Sequence, residues 1–336
     1  MPDMHMMLPP LTWRVFFSTW QWQPVWSVVV AAMLLGYVLG FVRLRRRGVR
    51  SALAPVRAVS FVLGVGLLLV SVSSAIETYS HLLFWDHMIQ HLLLIMVVPA
   101  LLVVGHPLTL LVEAGPAPMS GAIRRALQSR PVAVLTHPLV ALAIYTAIIV
   151  GTHLTSFMNA MATDMTLHEG EQVLYLVGGY LFLLPLLGDE PIRWRAPHLM
   201  RMVVLFIAMA PDTVVGIVLL QSPHELFPAL AGDRPSWAPS PVHDLNTGGG
   251  IMWAFGDGLM MLFIVAVMLA YLTNSSSHAT AGNWLEGVRR STLAGNLSRG
   301  AEAPTQLNDA TDLDDDEATL MAYNAMLKRL NSHDSA

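Results

Sequence analysis

The sequence predicts an all-α, polytopic membrane protein with seven transmembrane helices, its N-terminus outside and its C-terminus inside. Three observations predict it. Of 336 residues, 54% are hydrophobic and only 12% charged, about half the roughly 25% charged content of a soluble domain. Several apolar runs reach or approach the roughly 20 residues that cross about 30 Å of hydrocarbon. Lys and Arg are segregated by loop: of the 19, only Arg14 and Arg234 fall on one side of the alternating spans. The basic side is cytoplasmic, and an odd number of spans then puts the two termini on opposite faces.

Residues 1–24 form an aromatic, extracytoplasmic N-terminal segment, with Trp13, Trp20, Trp22 and Trp26 expected as an interfacial belt. No basic leader with a small-residue cleavage motif precedes the first apolar run, so no removable signal peptide is expected. The seven-helix domain occupies residues 25–272. Its spans are read at about Val25–Val42, Val56–Ile76, Asp86–Val104, Val132–Gly151, Glu171–Leu187, Met200–Leu220 and Gly249–Leu272. Arg43, Arg45, Arg46, Arg47, Arg50 and Arg57 fill the first inner loop; Arg124, Arg125 and Arg130 fill the second. Residues 273–336 turn polar and acidic, with a run from Asp312 to Glu317, and read as a largely disordered cytoplasmic tail. Within it, Ala318–Leu330 carries helical periodicity.

Composition also excludes chemistry. With no cysteine, there are no disulfides, thiolate metal sites or cysteine nucleophiles. The sole lysine, Lys328, lies in the tail, so no retinal Schiff base can form among the spans. No phosphate-cradling GxxxxGK[ST] loop is present, so a nucleotide-driven pump is not expected; an enzyme is not expected either, with a membrane oxidoreductase left open.

Histidine and methionine are what remain as borderline and soft ligands. Of 13 His, eight (His5, His81, His87, His91, His153, His168, His224 and His243) fall outside or at the outer membrane edge. His87 and His91 stand one turn apart on a helix face, with Met88 near both. Met158, Met161, Met165 and His168 step by three, four and three, a helical stripe of thioethers ending in an imidazole. Such a stripe more often serves packing than ligation, but beside a His pair on the same face of the membrane both readings stay open. Thioether with imidazole suits Cu(I), whereas zinc more usually recruits Cys, His or carboxylate. Met4-His5-Met6-Met7 has the same ligand character on the same side.

Two carboxylates lie inside spans: Asp212, after Pro211, and Asp257. Charge at that depth is costly and commonly functional; Asp212 could orient a ligating imidazole or simply bond neighbouring helices as the neutral acid. Glu77 and Asp86, at the outer edge, are expected to be solvated. Asp244 and the Gly248–Gly250 run open the last span, where glycines permit a sharp turn and close helix approach.

These residues carry a resemblance. His87-Met-Ile-Gln-His91 with Pro99 and Gly105-His-Pro107, the outer His153 and His168, and Asp244 with Gly248-Gly-Gly-Ile-Met-Trp253 are similar to the motifs of the seven-span CtaG family of cytochrome c oxidase assembly factors. The likeness runs from Val56 to Leu272. It departs at Glu171-Gln172, where a second His is typical, and at Leu245-Asn246, where a Gln is typical. The resemblance implies a role in maturing the copper-containing part of a terminal oxidase. The expectation is a plasma-membrane protein that binds copper as Cu+ on its outer face and helps deliver it to cytochrome c oxidase subunits. His87, His91 and His168 would be the primary ligands and Met88, Met165 and His153 further candidates, with Asp212 and Asp244 orienting or relaying. Two other readings stay open: a haem protein with axial imidazoles from two helices, and a metal-free scaffold for oxidase subunits. Beyond those subunits and membrane lipids no partner is implied, and no nucleic acid.

Overall fold

A computed structural model describes residues 8–48, 55–194, 196–230, 232, 234–273 and 324. The Met4–Met7 ligand cluster, the acidic run and the Ala318–Leu330 periodicity lie outside the described residues. The chain divides into two units, Met1–Val267 and Met268–Ala336, and the account below concerns the first.

Among the described residues there is no strand. The helices are α1 (Trp13–Ser18), α2 (Pro24–Arg46), α3 (Pro55–Ser73), α4 (Ala75–Ser80), α5 (Phe84–Leu92), a π-helical segment (Leu93–Val97), α6 (Val98–Val104), α7 (Pro107–Ala114), α8 (Ala117–Leu127), α9 (Arg130–Leu135), α10 (Pro138–His153), α11 (Phe157–Met161), α12 (Met165–Leu187), α13 (His198–Leu220) and α14 (Pro241–Thr273). Among the described residues, six helical runs are long and apolar enough to cross a membrane: α2, α3, the run Phe84–Ala114, α12, α13 and α14. The fourth expected span is instead split: α9 ends at Leu135 and Pro138 opens the sixteen-residue α10.

The Phe84–Ala114 run is the most buried of the candidates. Its middle packs on α3 on one side and α12 on the other, while α10 bridges α12 and α13. Small residues make these contacts possible. A Cβ on Gly179 would lie 2.0 Å from the Ile95 carbonyl oxygen, so α12 meets the π-helical segment backbone to backbone. At the far end of the run, His106 takes a left-handed φ of 51° and Pro107, which has no N–H, starts α7. The next free donors, Leu108 N and Thr109 N, are capped by the Glu190 carboxylate at 3.1 and 2.7 Å. Burial raises the pKa of Glu190 even though these bonds oppose it.

Three boundaries differ from expectation in ways that matter. The second span stops at Ser73; the Ser74 side chain caps α4, a separate short helix that packs chiefly against α5. The fifth begins six residues early because Asp164 accepts hydrogen bonds from Thr166 N and Leu167 N, enclosing His168 and Glu171 in α12. The last begins at Pro241, so Asp244 and the glycine run sit inside a helix rather than at a turn. There the glycines serve close approach: a Cβ on Gly249 would lie 2.4 Å from Leu220 N of α13.

The N-terminal segment, from Leu8, packs over α4 and the start of α5 through apolar contacts. Leu8, Leu11, Val15 and Phe16 rest on Ala75, Tyr79, Leu82 and Leu83. The Tyr79 hydroxyl donates to Pro9 O at 2.6 Å and Trp237 Nε1 to Leu8 O at 2.9 Å.

Candidate metal centre

Under this segment, α4, α5, α10 and α12 bring five imidazoles and two carboxylates together. The helix period does the local work. His87 and His91 project from one face of α5, and His168, Glu171, Gln172 and Tyr175 from one face of α12. His153 arrives on the last turn of α10. His87, His91, His153, His168, Glu77 and Glu171 are each 5% exposed or less, so any charge here must be balanced inside the cluster.

The cluster has two lobes. In one, Glu77 Oε1 faces His168 Nε2 at 3.4 Å and His81 Nε2 at 3.8 Å. Glu77 Oε2 accepts from the side-chain amides of Gln90 and Gln172, both at 2.6 Å. Trp26 Nε1 donates to Gln172 Oε1 at 2.9 Å and so fixes which way that amide points. Burial disfavours ionised Glu77, but the hydrogen bonds and charges of His168 and His81 outweigh it and hold its pKa down at about 2. His168 Nδ1 meets Met161 Sδ at 3.3 Å.

In the other lobe, Glu171 Oε2 lies 3.5 Å from His87 Nε2 and 3.4 Å from His91 Nε2. A relay orders the rings behind it. Ile149 O can only accept, so His153 Nδ1, 2.9 Å away, donates to it. For a neutral His153, Nε2 then accepts from His91 Nδ1 at 3.3 Å. That tautomer turns the lone pair of His91 Nε2 toward an anionic carboxylate, an arrangement a cation satisfies. The bonding inventory agrees: His87 Nδ1 and Nε2, His91 Nε2 and both Glu171 oxygens are buried and make no hydrogen bond. Two triads, Glu77–His81–His168 and His87–His168–Glu171, each offer ligand atoms within 4.8 Å of one another, and His168 belongs to both.

Of the residues singled out from the sequence, His87, His91, His153 and His168 converge. Met88 is buried on the same helix and lines a small void beside His91. Met165 does not join them; it is 52% exposed, because the cap at Asp164 starts a new helix and resets the phase of the methionine stripe. Met158 and Met161, on α11, are the buried pair. Asp212 accepts from the Tyr145 hydroxyl at 2.6 Å. Asp244 accepts from Phe84 N and Trp85 N at 2.9 and 3.1 Å and pairs with Arg234 at 2.9 Å; it caps α5 rather than facing an imidazole.

Three expectations are corrected. Glu77 and Asp86 are 2% and 3% exposed, not solvated; Glu77 turns inward to His168, Gln90 and Gln172. Trp26 is 7% exposed and serves the site instead of the belt, whereas Trp13, Trp20 and Trp22 are more than half exposed. Glu171-Gln172, which departs from the expected pattern, supplies a carboxylate and an amide to the centre. The clue was present, since Glu171 and Gln172 lie three and four residues after His168, on the same helix face.

A separate cavity of about 430 Å³ between α2, α6, α7 and α12 is lined by apolar residues with Tyr37 and Tyr180, and no imidazole borders it.

Comparison with known proteins places the arrangement. The chain is 29% identical over 331 residues to uncharacterized proteins of Mycobacterium bovis and of Mycobacterium tuberculosis, covering 96% of this chain and 46% of each relative. An uncharacterized Mycobacterium leprae protein is 28% identical over 324 residues. The chain therefore spans about half the length of the curated relatives it matches. No solved structure matches. The family model described as cytochrome c oxidase caa3 assembly factor matches residues 35–274. The chain belongs to the cytochrome c oxidase caa3 assembly factor (CtaG) family.

Proposed function

We propose that this protein binds copper at the His/Glu centre on the extracytoplasmic side of a prokaryotic plasma membrane and helps deliver it to a cytochrome c oxidase subunit. In this reading α10 is the seventh span, the N-terminus lies outside and the basic loops and tail lie inside, in keeping with the distribution of Lys and Arg. Residues 1–24 form the extracytoplasmic aromatic segment, 25–272 the seven-helix domain that holds the centre, and 273–336 the cytoplasmic tail.

One observation carries the proposal: buried imidazole nitrogens and carboxylate oxygens from separate helices point at one another without hydrogen bonds, at His87, His91 and Glu171. Apposed lone pairs in a desolvated site are costly unless a cation takes them up. His87, His91, His168 and Glu171 are the ligands proposed here, with His153, Gln172 and Trp26 orienting them. Imidazole suits copper in either oxidation state, and the carboxylate supplies the balancing charge. His81, in the same cluster but 21% exposed in its side chain, stands on the entry side.

The full chain purified in detergent and loaded with copper should retain it through dialysis. His87→Ala and Glu171→Gln should each weaken retention by at least about tenfold. Copper retained equally by wild type and by the combined H87A/E171Q variant would defeat the proposal. A folded combined variant that still supports oxidase assembly would favour the metal-free scaffold.

A further inference from the structure

Beside the outer centre, toward α13 and α14, lies a small void with room for about one water-sized particle. Three thioethers border it: Met88 from α5, Met96 from the π-helical segment and Met252 from α14. Each is 3% exposed or less. His91, His153, Tyr175 and Asp212 make the polar part of the wall.

Methionine in a core ordinarily fills space, and three around a void would say little alone. The carboxylate changes the reading. Asp212 is 1% exposed and lies within an apolar span. Its Oδ2 takes the Tyr145 hydroxyl, but Oδ1 has no hydrogen-bond partner. A buried carboxyl oxygen left without a partner beside a void lined by methionines in an apolar span is costly, and a cation placed there supplies what it lacks. Thioethers choose which cation: they are soft donors that favour Cu(I) over zinc and over the hard ions.

The backbone also keeps Met88 and Met96 on one face of the run. Residues eight apart drift by about 80° on a 3.6-residue helix, which would carry Met96 away from the face of Met88. Between them the helix widens, with Val98 N bonding Leu93 O five residues back, and the extra residue per turn reduces that drift. Gly179 lets α12 accommodate the widened turn.

We propose that Met88, Met96 and Met252, with Asp212 as counter-charge, form a second, thioether-rich Cu(I) site, separated from the outer centre by the His91–His153 pair. The inference rests on the proposed function only for the choice of copper.

The test loads the purified full chain anaerobically with Cu(I), and in parallel with Zn²⁺ as a probe that takes imidazole and carboxylate but not thioether. Wild type should bind about one equivalent more Cu(I) than Zn²⁺, and X-ray absorption should show sulfur neighbours at about 2.3 Å. In M88L/M96L/M252L the excess copper and the sulfur scattering should disappear while Zn²⁺ binding stays. Should that variant not fold, Met252→Leu alone should still lower the sulfur count. Absence of sulfur neighbours in wild type, or scattering unchanged by these substitutions, overturns the proposal. The H87A/E171Q variant separates the two sites: it should lose Zn²⁺ yet keep sulfur-bound copper. Zn²⁺ binding intact in that variant would remove the outer centre and leave the inner one standing.

Discussion

Replacing Asp244 with alanine would remove three interactions at once. Its carboxylate caps α5 through Phe84 N and Trp85 N, and it pairs with Arg234, all while 0% exposed. A lost cap costs about 1 kcal/mol, and a buried ion pair broken from one side costs about 3–5 kcal/mol. Arg234 keeps hydrogen bonds to the Leu230 and Pro239 carbonyls, which softens the second cost. The expected loss for Asp244→Ala is therefore about 3–4 kcal/mol, a fall of the order of 10 °C in Tm. Asp244→Asn keeps an acceptor for the two N–H groups and should lose only about 1–2 kcal/mol. Thermal unfolding in detergent, followed by tryptophan fluorescence, reads both. Combining Asp244→Ala with Arg234→Met closes a double-mutant cycle, for which coupling of at least about 1 kcal/mol is expected. Coupling near zero, or an unchanged Tm in Asp244→Ala, would refute the capping account. A stable Asp244→Asn protein that no longer held metal would instead make Asp244 an orienter of the centre.

Gly179→Ala places a Cβ on the Ile95 carbonyl, where no flexible side chain can yield. It should destabilise the protein by at least about 1–3 kcal/mol, measured by thermal unfolding, whereas Gly36→Ala, with open space around it, should not. Trp26→Phe removes the hydrogen bond that orients Gln172. It should cost about 1–2 kcal/mol and weaken metal retention by about tenfold or more; unchanged retention would show that the amide needs no such anchor.

Much of the outline is legible in the amino-acid order alone. The apolar runs mark six of the long helices because a hydrocarbon layer imposes their length, and local spacing puts His87 and His91 on one face. The span at Val132–Gly151 is less clear, since Pro138 breaks it into two helices without interrupting its hydropathy. The methionine stripe misleads at Met165 because a single cap at Asp164 restarts the helix. Nothing local marks Glu77 and Asp86 as buried, because position along the chain does not show what folds back over it.

Composition and period are enough to make the chain a helical membrane-type protein and to put His87 and His91 on one helix face, while the His, Pro and Gly motifs carry the family resemblance. Those properties act over a few residues at a time. Which donors meet is a matter of packing between distant helices. Packing brings Glu77 and Glu171 among the imidazoles, turns Met165 away, gives Asp244 to a helix cap and sets Trp26 behind Gln172. Such assignments depend on contacts between residues as far apart as Trp26 and Gln172, where burial makes each unmatched polar atom costly and the favoured arrangement is the one that leaves fewest of them.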